Sequence, residues 1–359
     1  MKKILSILLS LILIASAAAC MPGCGATKAG KNGEVNVYNW GEYMALGQED
    51  DIENVIEMFE KETGIKVNYT TYDTNEELYS KLTQSNDSYD VIIPSEYMIS
   101  KLIDEGLLKE IDFDNVPNYQ YIDDRFKSLP CDPEGKYTVC YSWGVTAMVY
   151  NKTMVKSEPT DWDALWDPAL KGNILMFNNS RDAMAIAMQQ CGIDPSNCTT
   201  ADVDKATEKL KEQKPLLKKY VMDQVFNEME GGQAAIASYY AGDIATMIEE
   251  NEDLDYCLPA SGSNLFYDAM CIPTCSKNTG NAEKFINFMQ KPEIAAENCK
   301  YLRYGTPNTG APEYLDDDIK NSELTFPPEE YLKKCYVFQN VSNDVYSYMQ
   351  EQFLRVQAE

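Results

Sequence analysis

Val35-Asn36-Val37-Tyr38-Asn39-Trp40-Gly41-Glu42-Tyr43 changes character halfway along its length. Val35 and Val37 alternate with polar neighbours, as a half-buried strand requires, and from Trp40 onward an indole, a carboxylate and a phenol crowd together. In open α/β sheets ligands sit beyond the carboxyl ends of strands, so an aromatic and acidic cluster there is well placed to meet a cation. The plainer alternative makes Trp40 and Tyr43 core residues and Glu42 a solvated acid.

Outward from this stretch, apolar residues at 52, 55, 56 and 59 predict an amphipathic helix over 51–63, with Gly64 as its C-cap. Alternation at Ile65, Val67 and Tyr69 predicts a second strand, and 75–82 a second helix, the β-α-β-α rhythm of a parallel sheet. Residues 89–93 read as a buried strand stopped by Pro94, after which Ser95 is placed to N-cap a helix reaching Gly106. Tyr97 falls in its first turn. Further on, 137–144 is strand-like, 160–166 reads as a capped helix with Trp162, Leu165 and Trp166 on a core face, and 174–177 as a strand leading into a helix ending near Cys191. Asp182 lies in the first turn of that helix, where simple dipole stabilisation is an alternative to a binding role. The runs 234–243 and 265–273 each place aromatics and an acid at an element end and read as cleft edges, followed by helices over 281–289, 292–302 and 343–356.

A chain of 359 residues with 44% hydrophobic content supports two cores. With 57 acidic against 31 basic residues its formal charge is −26, which disfavours nucleic acid and anionic lipid and favours a cationic partner. The absence of histidine removes Ser-His-Asp and Cys-His catalysis, and without paired C-x-x-C motifs a zinc site is not expected.

Lys2 and Lys3, the apolar run that follows and the small residues before Cys20 have the layout of a secretory signal peptide over 1–19. Ala17-Ala18-Ala19-Cys20 resembles a lipobox, with Cys24 as the alternative lipidation site and 20–33 as a flexible tether. Of the nine remaining cysteines, Cys191 with Cys198 and Cys131 with Cys140 are close enough in sequence to bridge, although spacing alone establishes neither.

Tyr38-Asn39-Trp40-x-Glu42-Tyr43, Tyr89-Asp90-Val91-Ile92-Ile93-Pro94-Ser95-x-Tyr97, Trp143-Gly144, Trp162-x-x-Leu165-Trp166-x-Pro168-x-x-Lys171-Gly172, Arg181 with its neighbouring acid, and Tyr304-Gly305-Thr306-Pro307-Asn308 occur in a telling order. Jointly the set resembles bacterial spermidine/putrescine-binding proteins, the substrate-binding subunits of polyamine ABC transporters. The resemblance implies an α/β, two-lobed type II periplasmic-binding-protein fold with a ligand cleft between lobes joined by hinge strands. On that fold 34–143 plus 266–312 form one lobe, and 144–265 plus 313–359 the other. It implies ligand contacts at Trp40, Glu42, Tyr43, Ser95, Tyr97, Asp182, Tyr240, Phe266, Asp268, Tyr304 and Gln339. Asn179 stands where spermidine-type members commonly carry a second acid, which implies a preference for the shorter diamine. The implied partners are a small polyamine and the permease subunits of an importer; the lipobox-like residues add an anchor on the outer face of the cytoplasmic membrane, whereas plain cleavage after Ala19 would leave the protein soluble in the periplasm. The chain is expected to act as a monomer without cofactor, metal or catalysis. A binding protein for another small cationic or polar solute would share the fold and differ only in the pocket. A secreted glycoside hydrolase would also pair acids such as Asp182 and Asp268 with aromatics, but the motif order is that of a transport receptor.

Overall fold

The computed structural model describes residues 30–359 apart from 50 and 86; the leader, Cys20, Cys24 and most of the tether lie outside them. Val35 and Val37 are fully buried on β1 (Glu34–Trp40), which lies between β2 (Lys66–Tyr72) and β3 (Val91–Ile92), both parallel to it. The helix after β1 runs over Val55–Thr63 and starts later than the expected 51 because the Asn54 side chain accepts the Ile56 and Glu57 amide hydrogens and so fixes the cap. Gly64, at φ +68, closes it in the left-handed conformation that glycine reaches without a Cβ clash. A second helix spans Asn75–Gln84 and a third Glu96–Asp104. Ser95 holds the N-cap position of the third, yet its hydroxyl makes no capping bond.

After β4 (Leu108–Lys109) comes β5 (Val139–Asn151), thirteen residues long and buried throughout, well past the expected end at 144. Its first half pairs antiparallel with β10 (Leu265–Met270), and its second half with β8 (Ile236–Tyr240) and β9 (Leu254–Cys257). The latter half belongs to a sheet in which β6 (Ile174–Phe177) lies parallel to β8 and to β7 (Leu217–Val221). β11 (Ile272–Pro273) then pairs with β4.

Two cores result. Tyr141 and Trp143 on β5 pack with the β1–β3 sheet, whereas Val145, Ala147 and Val149 pack with the β6–β8 sheet, so the chain changes core within one strand. Leu254 and Cys257 are still in the second core, and Ala269 and Met270 are back in the first. A last crossing departs from expectation: Leu315 and Ile319 pack on Ala295, Ala296 and Cys299 of the helix Pro292–Leu302, Leu324 is the first residue back in the second core, and Phe326 still packs against the first. Residues 313–319 therefore stay with the first lobe. The final helix, Asn343–Ala358, buries Met349, Phe353 and Val356 against the second.

The 160–166 stretch forms a short 3-10 turn, Trp162–Trp166, because Asp161 accepts the Trp162 amide hydrogen and Pro168 cannot continue a helix. Trp162 is fully buried with Nε1 donating to Gly262 O at 3.0 Å, while Trp166 is only half-buried. All nine described cysteines are free thiols; Cys191 Sγ is turned toward Lys205 O rather than Cys198.

The first lobe is pinned by Asp90. Fully buried, it accepts hydrogen bonds from the Asn36 amide and side chain, the Ser276 hydroxyl, the Lys277 amide, and the Asn278 amide and side chain, at 2.9–3.1 Å. Burial raises its pKa, but these donors outweigh burial and hold the carboxyl below its ordinary value. The stability it contributes is therefore present above the unfolded-state pKa of about 3.9 and lost as pH falls through the lower folded value. Asp90→Ala, which strands several buried donors, should cost about 2–4 kcal/mol at neutral pH, read as a lowered urea midpoint, with the difference from the parent shrinking as pH falls below about 3.9.

Candidate functional site

The two halves of β5 and the strand ends they carry bring together residues far apart in sequence. Ser95 Oγ donates to Asp268 Oδ1 and Tyr43 OH to Asp268 Oδ2, both at 2.7 Å. This is why Ser95 does not cap its helix. Asp268 sits where the β5–β10 register shifts, next to Ala269, an irregularity that turns its carboxylate toward the first lobe. On the second lobe Asp182 opens the helix Ser180–Gln190 and accepts from Tyr240 OH at 2.9 Å.

Between these carboxylates runs a series of rings meeting edge to face. Tyr43 and Tyr304 have centroids 6.0 Å apart, Tyr304 and Phe266 5.7 Å, and Phe266 and Tyr240 5.7 Å. Absent side chains make room for them. A Cβ on Gly144 would lie 2.8 Å from Phe266 Cζ and 2.9 Å from Tyr304 Cδ1, and one on Gly242 2.7 Å from the Tyr304 ring. Tyr304 OH donates to Asp243 Oδ2 at 2.9 Å. Trp40 lies against Tyr72 at 4.6 Å with its Nε1 buried and unpartnered.

Asp268, Asp182 and Glu96 are buried and Asp243 partly buried, with Arg181 the cation that acts on Asp182 and Glu96. Desolvation pushes Asp268 and Asp182 up to about 6 and Asp243 to about 7. Glu96, 2% exposed and accepting from the Tyr267 amide, is pushed to about 8 by burial and then by the neighbouring Asp268. Among the described residues no cluster of His, Cys, Asp and Glu is arranged to hold a metal ion. A groove of about 400 Å³ between Met154 and Leu170 lies elsewhere on the second lobe and includes none of these acids.

Other expected contact residues fare differently. Glu42, at φ +48, is exposed and accepts from Tyr301 OH at 2.8 Å. Asn179 is the N-cap of helix Ser180–Gln190; its Oδ1 accepts the Arg181 and Asp182 amide hydrogens at 2.9 and 3.4 Å. Gln339 exposes its side chain and contributes its carbonyl to Arg181, whose guanidinium lies 4.0 Å over the Tyr97 ring. Asp243, Tyr72 and Tyr141, whose OH donates to Tyr43 O, were absent from the expected set. Asp243 was nonetheless legible as an acid in the first turn of a helix just after the Tyr239-Tyr240 strand end, and Glu96 as the residue beside Ser95.

Residues 54–327 match the family of bacterial extracellular solute-binding proteins. The chain belongs to that family. It is 30% identical over 345 residues to the spermidine/putrescine-binding periplasmic protein of Salmonella typhimurium, covering 96% of this chain and 97% of that one. It is also 30% identical to the putrescine-binding periplasmic protein SpuD of Pseudomonas aeruginosa, covering 94% of both. Among solved structures, the spermidine/putrescine ABC transporter substrate-binding protein PotD of Streptococcus pneumoniae superposes with a TM-score of 0.79 at 34% identity, over 90% of this chain and 98% of that one. The fold is thus the two-lobed one of periplasmic binding proteins.

Raised carboxyl values carry a stability signature. Asp268 and Asp182 bind protons more tightly folded than unfolded, so they favour folding below about pH 4 and that contribution is lost as pH rises through about 6. Asp268→Asn imitates the protonated form. The variant should therefore be more stable than the parent at pH 8, by up to about 3 kcal/mol, and no more stable at pH 4, as thermal unfolding in the absence of solute will read.

Proposed function

We propose that the protein captures a polyamine, putrescine or spermidine, between its lobes and delivers it to the permease of an ABC importer, without chemical turnover. The carrying observation is the run Tyr43, Tyr304, Phe266, Tyr240 with a buried carboxylate at either end, Asp268 and Asp182. An α,ω-diammonium chain has the complementary pattern. Its methylenes suit ring surfaces, each ammonium gains about 0.5–2 kcal/mol from an aromatic face, and its ends meet the carboxylates whose burial is otherwise costly. The names of the relatives point the same way. Trp40, Ser95 and Tyr97 complete the proposed site, and Asn179 acts on it through the helix it caps.

Polyamine ammonium groups repel one another and so lose protons more readily than an isolated lysine, yet they stay predominantly charged up to about pH 8, so mainly the acids titrate between pH 5 and 8. Protonated Asp268, Asp182 and Asp243 must release their protons to pair with the ligand, and affinity should fall as pH drops from 8 to 5, by roughly tenfold per unit for each proton displaced. Calorimetry with putrescine, spermidine, basic amino acids and sugars, repeated at both pH values, tests this: heat from a neutral sugar and none from either polyamine would sink the reading. At pH 8 Asp268→Asn should lose about 2–5 kcal/mol of affinity, a factor of roughly 30 or more, whereas Gln at the exposed Glu134 should change little.

The chain is further proposed to be lipid-anchored at Cys20, or at Cys24, on the outer face of the cytoplasmic membrane. Cys20→Ser should then move the protein from the membrane to the soluble fraction; release by Cys24→Ser alone would place the anchor there instead.

A further inference from the structure

Arg181 shares the first turn of helix Ser180–Gln190 with Asp182 but faces a different way. Its guanidinium carbon lies 4.0 Å from the Tyr97 ring centroid, 5.1 Å from Phe338 and 5.3 Å from Tyr346. Nη1 donates to Gln339 O at 3.3 Å, Nε is buried without a partner, and the residue is 7% exposed. Rings and a carbonyl therefore hold this cation where a carboxylate would be usual.

The contact joins two bodies. Tyr97 stands on the helix Glu96–Asp104, packed in the first core, whereas Arg181 and Tyr346 stand on helices packed in the second. Tyr346 OH adds a second link across the divide, donating to Glu76 Oε1 at 2.7 Å, and Tyr97 OH reaches the same oxygen at 3.3 Å. Alongside them Asn340 Nδ2 donates to Asp104 Oδ2 at 3.3 Å and Lys101 Nζ to Asn343 Oδ1 at 3.5 Å. Tyr97 borders the proposed site, while Arg181, Tyr346, Glu76, Asn340 and Lys101 make no contact with the ring series Tyr43, Tyr304, Phe266 and Tyr240.

We infer that Arg181 and Tyr346 form a clasp that holds the two lobes shut on Tyr97 and Glu76, and so sets how long a bound solute stays rather than which solute is chosen. The inference rests on the solute-capture reading. Because β5 and β10 tie the lobes together on one side, the lobes can part by rotating about those strands, and contacts on the Tyr97 side resist that rotation. Arg181 is thus a positioning residue, and its loss acts on the closed state, hence on dissociation, more than on encounter.

The test pairs Arg181→Met, which keeps length and removes the cation, with Tyr346→Phe, which removes only the hydroxyl that reaches Glu76. Stopped-flow dissociation of putrescine and of spermidine should quicken roughly tenfold in the first variant, the factor carried by a contact of about 1.4 kcal/mol, and severalfold in the second. Association should be unchanged, and the ratio of the two polyamine affinities retained. Small-angle X-ray scattering without solute should give a larger radius of gyration for both variants than for the parent. Dissociation rates and radius equal to the parent's in both variants would overturn the clasp, and so would a change confined to one polyamine, which would make Arg181 a selecting contact. A parent that binds neither polyamine would overturn the capture reading, and the scattering comparison would still decide the clasp.

Discussion

A carboxylate taken out of water must be met by donors or by a cation, and the cleft is built around that requirement at Asp268. Two hydroxyls from the first lobe, those of Tyr43 and Ser95, meet its two oxygens. Each is itself held: Tyr43 accepts at its carbonyl from Tyr141 OH and from Asn39 Nδ2, and Ser95 gives up its capping role. These neutral donors leave the acid short of full compensation, which is why burial still raises its pKa. The folded protein stores that shortfall as a demand for positive charge, and Asp182, Asp243 and Glu96 repeat it nearby.

Packing then decides the shape of the demand. Gly144, Gly242 and Gly305 leave no Cβ where Phe266, Tyr304 and Trp143 press on the backbone. The rings can therefore approach the main chain at the crossing between lobes, where larger residues would force the lobes apart or the rings out of their edge-to-face series. Asp90 does for the first lobe's interior what ordinary hydrogen bonding should: fully supplied with donors, it is stabilised as an anion. The contrast between Asp90 and Asp268, both buried, separates an acid whose donors outweigh its burial from one whose donors do not.

Much of this was legible in the sequence. Alternation at Val35 and Val37, the glycine after Thr63 and the strand stopped at Pro94 marked a parallel sheet with its strand ends at a cleft, and the ordered aromatic motifs pointed to a two-lobed receptor. What local pattern could not reveal was the partner of a side chain. Ser95 has the residue type and place of a cap, but Asp268, 173 residues away, takes its hydroxyl. Asn179 looked like an altered ligand group and is a cap. Glu42 sits on a turn whose positive φ rotates it outward, a property set by backbone rather than composition. Arg181 gave no sign of its aromatic surroundings because Phe338 and Tyr346 lie more than a hundred residues downstream. The full length of β5 was missed for a related reason: a strand buried on both sides has no alternation by which to find its end.

That strand also orders events in time. A chain made amino end first can form β1, β2 and β3 early, yet their core is completed by Ala269, Met270 and Ile272 and by Phe285 and Ile286 of a later helix. β5 in turn finds its second-lobe partners only at 236–240 and 254–257. The first core lacks strands that lie beyond the second, the second is completed only by Met349, Phe353 and Val356 of the last helix, and closing such long loops is slow. Completion of either core therefore waits until most of the polypeptide is available, so the last residues made are the ones that lock the first ones in place.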